Sequence, residues 1–127
     1  MNEIILDTSA IVAVINREPG ADLVLEVAGG AVVSTLVVAK VVSWLALRNT
    51  PAGEVYRTIE DFRLAIEPFH HARAIAAGFL ITKTRRRGLS LADRACLTLA
   101  IELGLPVMTG DRAWRDIDLG VDVRLIR

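Results

Sequence analysis

The stretch Glu3-Ile4-Ile5-Leu6-Asp7-Thr8-Ser9-Ala10 passes from a short apolar run directly into an acid and two hydroxyl residues. Residues 3–6 have the length and character of a buried strand, and Asp7-Thr8-Ser9 offers side-chain oxygens that satisfy the free amides of a helix start. The spacing therefore predicts a strand followed by a helix over residues 10–16. It also leaves a carboxylate standing at the carboxyl end of the first strand.

The same alternation continues outward. Glu18-Pro19-Gly20 breaks the first helix, residues 21–27 restore helical spacing, and Gly29-Gly30 stops it before an apolar strand over residues 31–33. Ser34-Thr35 caps residues 36–47, a run too long for an ordinary strand despite its valines, and so expected as a buried helix ending before Asn49-Thr50-Pro51. Helical spacing follows over 52–63, a third strand over 65–69, and one long amphipathic helix over 70–86 that Gly88 closes. Ser90-Leu91-Ala92-Asp93 matches a capping box opening a helix to Leu103; Gly104 and Pro106 then lead into strand 107–108, a short turn or helix beginning at Asp111, and a last alternating strand over 121–126. With no linker, repeat or low-complexity tract, this order predicts a single domain over residues 1–127, an α/β sandwich with a mainly parallel sheet.

Bulk composition agrees. The chain has 127 residues, enough for a substantial core, with 53% hydrophobic and 24% charged residues, which excludes disorder. No apolar run reaches the roughly 18 residues of a membrane helix, and Asn2-Glu3 lacks the basic start of a secretory signal, so a cytoplasmic protein without membrane contact is expected. Cys96, the sole cysteine, has no partner for an internal disulfide and reads as a small core side chain. A formal net charge of +0 gives no global attraction to nucleic acid, so any such binding must be local. Lys83-Thr84-Arg85-Arg86-Arg87 is the dense basic cluster, suited either to a solvated helix end or to phosphate.

Three acids occupy corresponding places in this alternation: Asp7 after the first strand, Asp93 in the first turn of a helix, and Asp111 after strand 107–108. Right-handed crossovers put helix starts on the edge where the preceding strands end, the edge where open α/β sheets bind ligands. Helix capping accounts for each acid alone. It does not account for all three on one edge, where clustered carboxylates repel unless a hard divalent ion coordinates them. Mg²⁺ or Mn²⁺ held on carboxylates activates water and neutralises charge in phosphodiester cleavage. No Ser-His-Asp order, zinc-type Cys/His spacing or phosphate-cradling glycine loop competes.

Four motifs then carry a resemblance over essentially the whole chain: Leu6-Asp7-Thr8-Ser9-Ala10, Ser34-Thr35 before a valine-rich helix, Leu89-Ser90-Leu91-Ala92-Asp93, and Thr109-Gly110-Asp111-Arg112-Ala113-Trp114. In this order they resemble the PIN-domain family, most closely its VapC-type toxins from bacterial and archaeal toxin-antitoxin pairs. The resemblance implies a three-layer α/β/α PIN-like fold, Mg²⁺- or Mn²⁺-dependent cleavage of RNA, a cognate antitoxin that blocks the site, and a homodimer. By motif position it implies Asp7 and Asp93 as principal metal ligands, with Asp111 holding a second ion or orienting water. His70 and His71 match none of its catalytic motifs. Arg112 and Arg115, near Asp111, are candidate phosphate contacts.

Lys40 departs from that pattern, standing where the resemblance implies a glutamate of the acidic group. It is also the only charged residue between Thr35 and Leu47. Two placements are open. Its stem can snorkel so that the ammonium reaches water, or the ammonium can sit among the acids, pairing with Asp7 or Asp93 and lowering metal affinity. The second predicts a folded nuclease with impaired catalysis.

Two other functions remain in view at this level. A non-catalytic partner-binding module would keep the fold and use the apolar stripe Ile11, Val12, Val14, Ile15, Leu23, Val24 and Val27 as a seam, although helix periodicity equally makes that stripe core. A receiver-type phosphoacceptor also carries acids at one sheet end. Its paired acids after the first strand and its lysine after the last are missing here, since no lysine follows Lys83.

Overall fold

The computed structural model describes residues 3–127. Met1 and Asn2, which begin the segment read above as lacking a secretory signal, lie outside the described residues. The chain runs β1 (Ile5–Leu6), α1 (Thr8–Ile15), α2 (Ala21–Val27), β2 (Val32–Ser34), α3 (Thr35–Leu47), α4 (Ala52–Asp61), β3 (Ala65–Glu67), α5 (His71–Phe79), α6 (Ile81–Thr84), a 3₁₀ turn (Arg85–Arg87), α7 (Leu91–Leu103), β4 (Val107–Thr109), a second 3₁₀ turn (Arg112–Trp114) and β5 (Val123–Leu125).

The five strands form one sheet in the order β3-β2-β1-β4-β5. Every pairing is parallel, with Ile5 opposite both Val32 and Val107, so the expected mainly parallel sheet is wholly parallel. Successive strand residues point to opposite faces, and Ile5 and Leu6 are both fully buried, so helices cover both sides of the central strand. This is the three-layer α/β/α arrangement expected from the sequence. From β1 the chain first builds toward β2 and β3, then returns to place β4 on the other flank of β1. The strand order therefore reverses between β1 and β4, where the carboxyl ends open a crevice. A receiver-like sheet has the order 2-1-3-4-5 and opens elsewhere, which removes that rival.

Two expectations need correction. The predicted single helix over residues 70–86 is α5, α6 and a 3₁₀ turn. Three of the four residues of α6 are β-branched, and the Thr84 hydroxyl donates to the Leu80 carbonyl at 2.9 Å while the Lys83 amide bonds the same carbonyl at 3.0 Å. Local bonds of this kind tighten the chain to three-residue spacing. The second correction concerns α3, which buries only Val37, Val41 and Leu45 and leaves Leu47 largely in solvent. It is a half-exposed surface helix, not a buried one.

The stripe on α1 and α2 divides. Ile11 and Val24 are fully in the core, Val14, Ile15 and Val27 pack against it, and Leu23 is exposed. Cys96 is buried, as expected. No helix among the described residues is long and apolar enough to cross a membrane.

Candidate active site

The site begins with Asp7, the residue that ends β1 and caps α1. Its Oδ1 accepts the Ala10 amide at 2.8 Å, which turns the chain from strand into helix. The Ser9 hydroxyl donates to both carboxylate oxygens, at 2.7 and 2.8 Å, and the Thr109 hydroxyl at the end of β4 donates to Oδ2. Ser9 Oγ in turn accepts the Gly110 amide at 2.8 Å, and Thr109 Oγ1 accepts the Asp111 amide at 3.0 Å. Two hydroxyls thus stitch the ends of β1 and β4 together around one carboxylate.

That carboxylate is almost wholly buried, at 2% exposure. Burial is the main cause that lifts its pKa from 3.8 to about 6; the bonds from Thr109, Ser9 and Ala10 hold it down, and the nearby Asp93 charge pushes it further up. The influence of Asp93 places the second acid in the same electrostatic neighbourhood.

Asp93 arrives through the capping box of α7. Its Oδ2 accepts the Ser90 amide at 2.8 Å, and its own amide donates to Ser90 Oγ at 3.2 Å. Lys40 reaches the same box, its Nζ donating over a long 3.4 Å to Ser90 Oγ. Among the described residues it forms no ion pair, and its residue is exposed. The buried Cys96 thiol senses the group as a whole: burial pushes its pKa well up, Asp7 and Asp93 add to that, and Lys40 opposes it. Lys40 therefore contributes positive charge to the acidic crevice from its rim.

Asp111 stands apart. It is exposed, and its Oδ1 accepts the Ala113 amide at 2.9 Å, capping the second 3₁₀ turn. Among the described residues, no three acidic, imidazole or thiol groups converge as a ligand set. The chemistry of the two closer acids nonetheless suits a hard ion, since Mg²⁺ is commonly held by one or two carboxylates with water completing its octahedron. Both oxygens of Asp7 already accept two hydrogen bonds each, so a cation there has to turn the Ser9 or Thr109 hydroxyl aside. Asp93 Oδ1 has no partner among the described residues and is the freer ligand.

Sequence reading did not single out Ser9, Thr109 and Ser90 as site residues. The signal lay in the motifs themselves, where each of these hydroxyls stands two or three residues from an acid at a strand end or helix cap. His70 has a structural duty: its Nδ1 accepts the Arg73 amide at 3.4 Å and caps α5.

Among solved structures, the chain resembles DNA-bound VapBC from Salmonella typhimurium, with 19% identity over 100% of both chains and a TM-score of 0.75. It also resembles VapBC2 from Rickettsia felis bound to a promoter DNA fragment, with 19% identity over 94% of this chain and 96% of that one and a TM-score of 0.70. A toxin-antitoxin complex from Klebsiella pneumoniae matches with 18% identity over 94% and 95% of the two chains and a TM-score of 0.74. At these identities the likeness is one of fold. No curated protein sequence matches the chain. The family model of the PIN domain, however, matches residues 4–119, spanning β1 through the second 3₁₀ turn and every acid of the crevice, and on that match the chain belongs to the PIN-domain family.

Proposed function

We propose that this chain is a VapC-like endoribonuclease toxin whose catalysis depends on Mg²⁺ or Mn²⁺, is blocked by a cognate antitoxin, and is impaired by Lys40. The observation that carries the reading is the Asp7 carboxylate, buried at the reversal of strand order with Asp93 beside it. A carboxylate buried there against its own desolvation, hydrogen-bonded but without a cationic partner among the described residues, is poorly explained by capping alone, for which an exposed Asp suffices. PIN domains are generally nucleases, and Asp7 and Asp93 are the residues that would hold the ion, with Asp111 on the rim. When bound, the ion supplies charge neutralisation at the phosphate and a more acidic water. Ser9 and Thr109 fix the direction of the Asp7 carboxylate, and Ser90 fixes Asp93.

Lys40 acts against this arrangement. Its ammonium lies on the capping box of Asp93, adds positive charge where a dication would sit, and weakens metal binding by like-charge repulsion. The resemblance of the fold to chains from toxin-antitoxin complexes supports an antitoxin as partner, and homodimerisation and a cytoplasmic location follow from the same reading.

Cleavage of a mixed RNA pool with Mg²⁺ or Mn²⁺ tests the proposal. Lys40→Glu is expected to raise the rate at least tenfold over the unaltered chain, and adding Asp7→Asn to it is expected to abolish cleavage. Strong metal binding and efficient cleavage by the unaltered chain would show that Lys40 does no harm. The position of Lys40 also favours a second reading, a PIN module that binds a partner without catalysis. Silence of both the unaltered chain and Lys40→Glu, with folding intact, would select it.

A further inference from the structure

The basic residues of the chain are not evenly engaged. Arg73 lies between Glu67 and Glu102, Arg124 pairs with Asp122, and Arg127 with Glu18. Arg48 lies over the Trp44 ring, and Arg94 donates to the Ala77 carbonyl at 3.0 Å. Arg17, Arg57, Arg63, Lys83, Arg85, Arg86, Arg112 and Arg115, in contrast, are exposed, and among the described residues their side chains have neither a hydrogen bond nor an ion pair; of these, Arg85, Arg86, Arg112 and Arg115 flank the acid-bearing edge. Those four belong to two segments 25 or more residues apart in sequence, and one side chain joins them. Arg87 Nη1 donates to the carbonyls of Ala113, at 3.3 Å, and Arg115, while Nη2 donates to that of Asp116 at 3.0 Å.

We infer that Arg87 is a positioning residue that clamps the segments bearing Arg85–Arg86 and Arg112–Arg115 into one cationic surface for the backbone of a single-stranded RNA. The inference rests on the nuclease reading and names where its substrate lies. Both segments spring from the acid-bearing edge: the first ends just before the Ser90 cap that holds Asp93, and the second begins at Asp111. Asp116 has a left-handed backbone, φ 61°, which a non-glycine residue adopts at a cost, and the Arg87 bond to its carbonyl holds that turn in place. With a formal net charge of +0, the chain needs a local concentration of cations to attract phosphate. Asp111 at the start of the second segment and Asp116 and Asp118 at its end are the acids within this segment that oppose it. The only aromatic side chain in these segments, Trp114, is fully buried and offers no ring for a base to stack on. The surface therefore grips the backbone without reading sequence.

The test is fluorescence-anisotropy titration of a labelled oligouridylate and a labelled mixed-sequence RNA over a range of salt concentrations, in EDTA so that binding is read without cleavage. Metal-dependent cleavage is followed in parallel on the Lys40→Glu background. The variants are Arg85→Ala/Arg86→Ala, Arg112→Ala/Arg115→Ala, Arg87→Met and Arg87→Lys. Each double variant is expected to lower affinity about tenfold for both RNAs and to reduce the slope of log K against log salt by about 0.7 for each phosphate that the surface no longer neutralises. Arg87→Lys keeps the charge but cannot span three carbonyls, so the clamp predicts a loss comparable to that of Arg87→Met. Full affinity in Arg87→Lys overturns the clamp, and unchanged binding in the double variants overturns the surface. If those failures accompany metal-dependent cleavage in Lys40→Glu, the nuclease reading survives without this inference. Absence of RNA binding by the unaltered chain, together with absence of cleavage in Lys40→Glu, removes both.

Discussion

Asp7 shows how one residue serves the fold and opposes it. Its oxygens cap α1 and tie β1 to β4, yet burial makes the ionised form expensive and lifts the pKa from 3.8 to about 6. A shift of that size corresponds to about 3 kcal/mol of differential interaction between the protonated and ionised forms. The folded state holds the proton more tightly than the unfolded one, so stability should be greatest below about pH 4 as far as this group is concerned and should fall as pH rises from 4 to 6. Urea unfolding of the metal-free chain should show this decline, and in Asp7→Asn the contribution should vanish. A decline of equal size in Asp7→Asn would assign it to other groups. At this scale the sequence discloses the acids but not their inequality. Asp7, Asp93 and Asp111 all look like caps in a string of letters, and only packing determines that Asp7 is buried, Asp93 half-buried and Asp111 exposed. The hydroxyl partners of Asp7 are hidden for the same reason, because Thr109 lies 102 residues away and reaches it only through the pairing of β1 with β4.

Individual elements follow local chemistry where that chemistry is strong. The capping box at Ser90 is legible in sequence and present in the structure, with Gly104 in the left-handed conformation closing the same helix. Ser90→Ala removes the side-chain acceptor of the Asp93 amide and the bond from Lys40, and should cost about 1 kcal/mol by urea denaturation. Ser90→Thr should recover most of it; a loss that Thr does not recover would mean the hydroxyl bonds contribute little beyond local shape. The helix over Ala21–Val27 matches its sequence reading because proline and glycine bracket it. Helix boundaries escape sequence reading where the competing bonds run from side chain to backbone. The break after Phe79 depends on Thr84 being drawn inside, fully buried, with its hydroxyl on the Leu80 carbonyl. Periodicity alone sees an unbroken amphipathic run there. The valine-rich α3 misleads in the other direction, since its apolar composition suggests burial, but the helix presents only one face to the core.

At the scale of the whole molecule, the carboxyl-terminal end of the chain closes onto the α1–α2 turn beside the crevice. Ile126 bonds the Thr109 carbonyl through its amide at 3.0 Å, Arg127 pairs with Glu18 at 3.0 Å and donates to the Pro19 carbonyl at 3.1 Å, and its guanidinium lies against Gly110. The turn between α1 and α2 is thereby pressed onto the end of β5, next to the loop that carries Thr109 and Asp111. Gly20 makes this closure possible. Its φ of +96° is a conformation side chains rarely adopt, and an added Cβ would lie 2.5 Å from the Ile126 carbonyl oxygen and 2.8 Å from the Ile126 Cβ. The obstruction is backbone, and Ile126 is buried, so the strain cannot be relieved by turning an exposed side chain. Gly20→Ala should therefore combine left-handed strain with overpacking and cost about 3 kcal/mol. Gly29→Ala, where nothing lies within 4 Å of the added carbon, should stay within about 0.5 kcal/mol. Because Ile126 is bonded to Thr109, and Thr109 to Asp7, the displacement should pass into the site as well as into stability. In the Lys40→Glu background, Gly20→Ala should lower metal-dependent cleavage at temperatures where the protein remains folded. Unaltered cleavage at full folding would show that the closure of β5 onto the α1–α2 turn stabilises the fold without setting the geometry of the acids.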